Sequence, residues 1–477
     1  MTFTTLRQSP KNITPLIEMD RKRLLVRYLI LSSLATVLGI KVYLMLHIAD
    51  FFLGIYGLLV STIICSMFFL SFLKYKDPYV EASKTDIHEN NASHLPMVSI
   101  IVPVKNEEEN IRDCVESCLK SNYPRKEVIV VNDGSTDRTG EILEEIKKEY
   151  SYLHVIHLSE NLGKKKAMEA GTKLARGDLY LFTDSDSTID KTAVENAVRI
   201  FESDDTIGGL AGHFHIRNAS TANWVEKMQD VWMNGQLRLL KGAESSFSSV
   251  TCCSGPLTVY RRQAVQPFIH EWANDEFLGV KNFRFATDRR LTAYVLGVKR
   301  DEKCSKQTFA SAVNDSSIGS SVSRTEKIDN RKWAWRLVYS PSVTGTVLVP
   351  NTFRSFIKQQ IRWRKSFIRS LFATGGIYWR RPTPAAILYY LMTSLKLLRP
   401  LIIIKALVFL SLSGDFMSML YLVGVLYTGM LYSIDVRLRN PGYRFWMYRP
   451  LMSLISPFIL TWLLFYAAVT IRKMNWR

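Results

Sequence analysis

Two long apolar runs near the amino end, Leu24 to Ile48 and Phe51 to Leu73, restrict the folds open to this chain more than any other feature. Each is long enough to cross a hydrocarbon core of roughly 30 Å. Backbone groups in lipid must satisfy one another, so both runs are expected to be helices. Ala49 and Asp50 are all that separates them, which makes a hairpin. Arg21, Lys22, Arg23 and Arg27 precede it and Lys74 and Lys76 follow, so both ends are expected on the cytoplasmic side. The polar, basic first 23 residues lead into a run too long for a cleaved signal peptide, and a retained anchor is expected.

The rest of the 477 residues calls for a second kind of environment, because 47% of the chain is hydrophobic yet 22% is charged. That balance suits a membrane protein with a substantial water-soluble domain. The net charge of +19 fits nucleic acid, anionic lipid or a phosphate-bearing substrate equally well. No base-reading module is visible, and many basic residues flank apolar segments, so membrane lipid is the expected partner and nucleic acid is not. Six cysteines show no paired CxxC spacing, which argues against a zinc site or a disulfide framework.

After a polar linker the pattern changes. Val98 to Pro103, Val128 to Val131 and Leu179 to Thr183 read as buried strands. Helical spacing runs over Glu107 to Leu119, Thr139 to Tyr150 and Lys164 to Leu174. Alternation of this kind predicts an α/β domain with a mostly parallel sheet. Residues 301 to 332, rich in Ser, Asn and charge, predict a loop. From Phe353 to Leu371, Phe353, Phe356, Ile357, Ile361, Phe367, Ile368 and Leu371 share one helical face, interleaved with Arg and Lys. That pattern predicts an amphipathic helix lying on a membrane surface. Further spans are expected over Ala385 to Ser413 and Phe416 to Ile434. Leu451 to Ile471 is a last apolar segment that Pro457 could break into a re-entrant one.

Asp184 and Asp186 sit one residue apart at the carboxyl end of a strand, where open α/β sheets bind ligands. Two carboxylates there can hold Mg²⁺ or Mn²⁺, or can form a simple polar turn. Pro103-Val104-Lys105-Asn106-Glu107 and Asn132-Asp133-Gly134-Ser135-Thr136-Asp137 close two other strands at the same edge. Their carboxylates can meet a nucleobase or ribose, although Asp137 would also cap a helix whatever its function. Asn161-Leu162-Gly163-Lys164-Lys165-Lys166 opens a helix with concentrated positive charge, which is equally what a solvated helix start looks like.

The series PVKNEEE, VVNDGSTD, NLGKKKA and FTDSDS resembles the inverting family-2 glycosyltransferases of the GT-A, Rossmann-like fold. Gln359, Arg362 and Trp363 narrow the resemblance to the processive membrane synthases of cellulose, chitin and hyaluronan. Cys253 to Arg262, Asn274 to Gly279, Asp288 to Thr292 and Trp363 to Phe367 look most like the hyaluronan synthases. The chitooligosaccharide synthases share much of the set. The likeness covers most of residues 97 to 372.

What the resemblance implies is specific. Pro103, Glu107, Asp133 and Lys164 would line the nucleotide pocket, Asp184 would sit by the ribose and diphosphate, and Asp186 would be the principal metal ligand. Asp288 would be the general base, although beside Arg289 and Arg290 it could equally form a surface ion pair. Gln359 would belong to the donor pocket, and Arg362 would clamp the diphosphate, since a guanidinium matches phosphate oxygens. Trp363 would stack on the acceptor sugar, with an interfacial anchor as its competing role. Thr287 stands where the family has an acidic residue, and the stretch from Asp288 to Gln359 looks longer than in compact relatives. Thr470 to Trp476 looks like the start of the family's Trp-Gly-Thr-Arg gating segment.

The expected organisation is therefore a basic tail (1–23), a transmembrane hairpin (24–73), a linker (74–96) and a GT-A domain (97–349). An interface helix (350–384), further spans (385–434) and a basic loop with a last transmembrane or re-entrant segment (435–477) follow. The expected activity is polymerisation of UDP-GlcNAc, with UDP-glucuronate, onto a nascent polysaccharide, dependent on Mn²⁺ or Mg²⁺. The enzyme would lie in the plasma membrane with its catalytic domain in the cytosol. A GlcNAc-only chitin-like synthase and a single-transfer enzyme acting on a lipid acceptor are the alternatives. Nothing in the sequence speaks to oligomeric state.

Overall fold

The computed structural model describes residues 13–47, 50–84, 95–297 and 335–473. The described parts of the chain form two compact units. One gathers Met1–Lys74, Lys227–Leu239 and Met392–Thr461; the other gathers Tyr75–Glu226, Leu240–Leu391 and Trp462–Arg477.

The second unit is built on an eight-stranded sheet: β1 (Val98–Val104), β2 (Lys126–Asp133), β3 (Leu153–Leu158), β4 (Leu179–Phe182), β5 (Ser187–Ile189), β6 (Ile207–Ile216), β7 (Thr258–Arg261) and β8 (Arg336–Val347). Their order is β3-β2-β1-β4-β7-β6-β8-β5. The first four are parallel neighbours, and β7 pairs antiparallel with both β4 and β6. β1 is buried along its whole length, which is why VSIIVPV reads as an unbroken apolar run and not as an alternating one. From β1 the sheet grows in one direction through β2 and in the other through β4. The strands' carboxyl ends therefore open a crevice at that reversal.

The three predicted strands and the Lys164–Leu174 helix stand where the pattern put them. The helix expected from Glu107 begins only at Ile111. Asn106 ahead of it takes a left-handed φ of 51°, and its side chain accepts from the Thr136 N–H at 2.9 Å. This ties the loop after β1 to the loop after β2. Asp137 goes beyond a cap, accepting from Thr139 N–H (3.1 Å) and from Glu108 N–H (3.3 Å). The predicted loop at 301–332 and Trp476 lie outside the described residues.

The helix expected over 353–371 runs from Phe353 to Ala373, but its buried side is mixed. Phe356 is buried together with Gln360, Lys365, Arg369 and Ser370. The apolar stripe is thus not the only face with a partner: Lys365 Nζ donates to the Lys473 carbonyl (2.7 Å), and Arg369 meets Asp275.

In the first unit, Ile13–His47 and Phe51–Phe69 pair as helices around the turn at Asp50, whose carboxylate caps the second helix and accepts from Lys405 at 2.7 Å. Lys41 is accommodated by donating to Ser61 Oγ at 2.7 Å and to the Gly57 carbonyl at 3.2 Å. Phe68, Phe72, Leu239, Leu431 and Tyr432 form an apolar cluster. Three helices among the described residues are long and apolar enough to cross a membrane: Leu24–Leu46, Phe51–Ala82 and Met419–Arg439. The stretch expected as a span at 385–413 does not join them. Its helix Thr383–Ile404 contains Lys396, Arg399 and Pro400, and a π turn follows from Lys405. The last apolar segment is a pair of helices, Phe445–Leu460 and Leu463–Val469, bent by 43° where they meet.

Candidate active site

Each functional side chain sits just past a strand end or at the first turn of a helix. The Lys164–Leu174 helix starts after Gly163, whose φ of 95° suits glycine and turns the chain so that Lys164 points into the crevice. Lys164 Nζ donates to Asp184 Oδ1 and lies 3.9 Å from Asp288 Oδ1. Burial works against that ammonium, yet Asp184 and then Asp288 hold it protonated above the usual lysine range.

Gly255 forms the floor. A Cβ there would lie 2.9 Å and 3.0 Å from the Asp184 carboxylate oxygens and 3.0 Å from Lys164 Nζ, so any larger residue must displace the pair by a few tenths of an ångström. Its N–H donates to Asp288 Oδ2 at 2.9 Å. Thr183 Oγ1 donates to the Pro256 carbonyl (2.8 Å) and Thr258 Oγ1 to the Ser254 carbonyl (2.6 Å), fixing this loop against β4. The resulting cleft is open to solvent and is lined by Pro103, Lys164, Asp184, Gly255 and Asp288 among others.

Asp288 occupies the first turn of the Thr287–Gly297 helix. Burial and the neighbouring Asp184 raise its carboxyl above the ordinary carboxylate range, with Lys164 opposing. Its position beside Arg289 and Arg290 left open a surface ion pair, but Arg290 turns to Asp275 (3.3 Å) and Tyr294 (2.9 Å). Asp288 is left facing the cleft.

Asp186 is pushed up to about 6, first by burial, then by Asp184 and Glu107. Its carboxylate accepts from Ser187 Oγ at 3.2 Å, and its carbonyl accepts from Arg217 at 2.6 Å. Among the described residues no group of three or more His, Cys, Asp or Glu side chains forms a metal cage. The donor set still fits a hard divalent cation, because Mg²⁺-like ions bind through one or two carboxylates together with substrate phosphates. Asp184 and Asp186 supply two such groups, and crowded negative charge there favours an incoming cation.

Asp133, at the end of β2, accepts from Leu162 N–H (2.7 Å) and Gly163 N–H (2.9 Å). It therefore shapes the loop that presents Lys164, and burial raises its carboxyl. Arg362 feels both Asp184 and Asp186, which counter the lowering of its guanidinium by burial. Gln359, one turn earlier, has a buried Oε1 with no partner among the described residues. Trp363 is half-buried on the same helix; neither it nor Gln359 lines the cleft.

Several contributors carried no role in the sequence reading. Gly255 belongs to a motif, but only the packed loop shows that a side chain there would crowd Asp184 and Lys164. Lys165 looked like one of three solvated lysines; it is 5% exposed and bonded to Asp275 at 3.1 Å. The step of about 100° between successive residues of a helix is the signal that separates it from Lys164.

Residues 99–268 match the glycosyl transferase family 2 model. Hyaluronan synthase of Streptococcus pyogenes serotype M3 is 25% identical over 458 residues, 94% of this chain and 96% of that protein. An N-acetylglucosaminyltransferase of Azorhizobium caulinodans is 27% identical over 83% of this chain and 91% of that one. A second, of Rhizobium meliloti, is 30% identical over 58% and 57%. Among solved structures, a mannosyltransferase from Pyrobaculum calidifontis in complex with GDP-Man and Mn²⁺ shares the fold, with a TM-score of 0.51 at 18% identity, covering 87% of this chain and 98% of that one. The chain is a membrane protein that carries a family-2 glycosyltransferase domain of the GT-A fold, and it is a glycosyltransferase.

Proposed function

We propose that this enzyme is a processive inverting transferase that polymerises UDP-GlcNAc, alternating with UDP-glucuronate, into a hyaluronan-like β-linked polysaccharide and passes it across the plasma membrane from a cytosolic catalytic domain. The observation that carries the reading is the Lys164 ammonium set between Asp184 and Asp288 over the Gly255 floor. A carboxylate facing a cation-lined cleft suits an in-line displacement, with the base on one side of the anomeric carbon and the leaving diphosphate on the other.

In this reading Asp288 takes the proton from the acceptor hydroxyl as its oxygen bonds to the anomeric carbon of the donor. The bond from that carbon to the diphosphate breaks on the opposite face, so configuration inverts and nucleoside diphosphate departs. Lys164 and Arg362 lie where they can neutralise the departing charge. A divalent ion held by Asp184 and Asp186 would supply further charge neutralisation on the diphosphate when bound. Asp133, at the end of β2, and Glu107, in the loop after β1, would meet the nucleoside. Likeness to a hyaluronan synthase along nearly the whole chain supports the choice of polymer.

A second reading is a GlcNAc-only, chitin-like product, favoured by the N-acetylglucosaminyltransferase relatives. Purified enzyme supplied with UDP-GlcNAc, with and without UDP-glucuronate, separates the two. Polymer that forms only with both donors and is cut by hyaluronidase supports the proposal. Polymer from UDP-GlcNAc alone, cut by chitinase, supports the second reading. Absence of transfer from either donor overturns both.

A further inference from the structure

Behind the cleft lies a buried charge cluster of unusual composition. Asp275 is 4% exposed and faces three cations, each from a different element. Lys165 Nζ donates to its Oδ2 at 3.1 Å. Arg369 grips both oxygens, Nε on Oδ2 at 3.2 Å and Nη2 on Oδ1 at 2.5 Å. Arg290 Nε reaches Oδ1 at 3.3 Å. A pair chosen for stability alone would balance its charges, since every unneutralised buried ion carries a desolvation cost. Here one carboxylate serves three cations.

The sequence positions of those cations explain the arrangement. Lys165 follows Lys164, the cation on Asp184. Arg290 is two residues past Asp288. Arg369 is seven residues past Arg362, about two helical turns along the same face. The backbone at Asp275 is itself fixed: its carbonyl accepts from Phe283 N–H at 2.9 Å, and Trp272 just before it donates from Nε1 to the Thr287 carbonyl at 3.1 Å. Asp275 thus bonds to one residue on each of the three helices that carry Lys164, Asp288 and Arg362.

We propose that Asp275 is a positioning residue for transfer, holding the Lys164, Asp288 and Arg362 elements in one register. This rests on the roles given to those three residues above. Asp275 touches no substrate; its carboxylate sets how far the arginine-rich helix stands from the sheet edge. Neutralising it leaves two buried cations, Lys165 and Arg369, and the half-buried Arg290 to repel one another, and the helix moves by a fraction of its side chains' reach. Misplacement on the order of 1 Å can cost about 100-fold in rate. Nucleoside diphosphate binding rests mainly on groups at the strand ends and on Lys164, whereas Arg362 acts most on the charge that develops as the diphosphate leaves, so affinity changes less than rate.

The test uses full-length enzyme in lipid nanodiscs and measures steady-state transfer from UDP-GlcNAc plus UDP-glucuronate beside UDP affinity. Asp275→Asn is expected to lower kcat by about 10- to 100-fold while KM and the UDP Kd move less than about threefold. Arg369→Lys keeps the charge but loses the two-point grip, leaves the cluster paired, and is expected to lower kcat by about tenfold. In a double-mutant cycle the two losses combine to less than their product. Asp275→Glu restores part of the rate, because it returns the charge. If Asp275→Asn does not fold, the Arg369→Lys split between kcat and Kd decides the matter alone. Unchanged kcat in a folded variant, or UDP affinity that falls in step with kcat, overturns the positioning role while leaving the function reading intact. A wild-type enzyme that transfers neither sugar overturns the function reading and this inference with it.

Discussion

At the scale of single residues, the site depends on what is absent as much as on what is present. Gly255 keeps a negative φ, so its value is space and not backbone freedom. Gly255→Ala must push the Asp184 and Lys164 pair apart by a few tenths of an ångström. Transfer is expected to fall by about tenfold or more with thermal stability nearly unchanged, a split read by initial rates beside a melting curve. A loss of folding in step with activity would instead make Gly255 a packing residue. Asp288 offers a different measurement. Asp288→Asn is expected to cost about 10²- to 10⁴-fold in transfer, as loss of a general base does, with UDP binding retained. The raised carboxyl also fixes the sign of the pH dependence. The base works only when deprotonated, so the acid limb of the rate profile lies above the usual carboxylate range and activity falls as pH drops through it. A profile flat down to the ordinary carboxylate range would remove Asp288 from that role.

At the scale of elements, the Phe353–Ala373 helix concentrates the chemistry of its region. Its capping is ordinary: Thr352 accepts from Ser355 N–H at 3.2 Å. Its facing is not, since an arginine and a lysine point inward while Phe372 is 63% exposed. Apolar periodicity predicts which residues seek a nonpolar surface, but it says nothing of a second face drawn inward by a buried carboxylate. Lys165 shows the cost of that arrangement, because burial pushes its ammonium down to about 8 despite Asp275. Its folded value lies below the unfolded one, so the charged form costs stability below pH 8 and that cost fades as pH rises towards 10.5. Trp363 tests the outer role of the same helix. Trp363→Ala is expected to shorten product chains several-fold while UDP affinity changes little, as stacking on an acceptor requires, with gel-filtration of labelled polymer as the readout. Full-length product would assign the indole to anchoring instead.

At the scale of the molecule, legibility in the sequence followed the range of the interaction. Strands β1, β2 and β4 announce themselves because buried parallel strands are continuously apolar, and that is a local property. Asp133, Lys164, Asp184 and Asp288 could be named because they belong to short contiguous strings. Their meeting could not be read from spacing, since it depends on loops such as Leu162–Gly163 bonding to Asp133 and on Arg290 choosing Asp275 over Asp288. Asp275 itself looks like any loop carboxylate until three elements converge on it. Over the expected span at 385–413 the chain is helical for nearly its whole length, but Lys396, Arg399 and Pro400 lie within it.

The antiparallel pairing of β4 with β7 sets Phe182 opposite Thr258, so the exit of one strand adjoins the entry of the other. Asp184 and Gly255 are close for that reason alone. Removing one residue between Gly255 and Thr258 would carry away the floor and the amide that steadies Asp288 in a single event. An enzyme designer has no latitude in chain length at this seam.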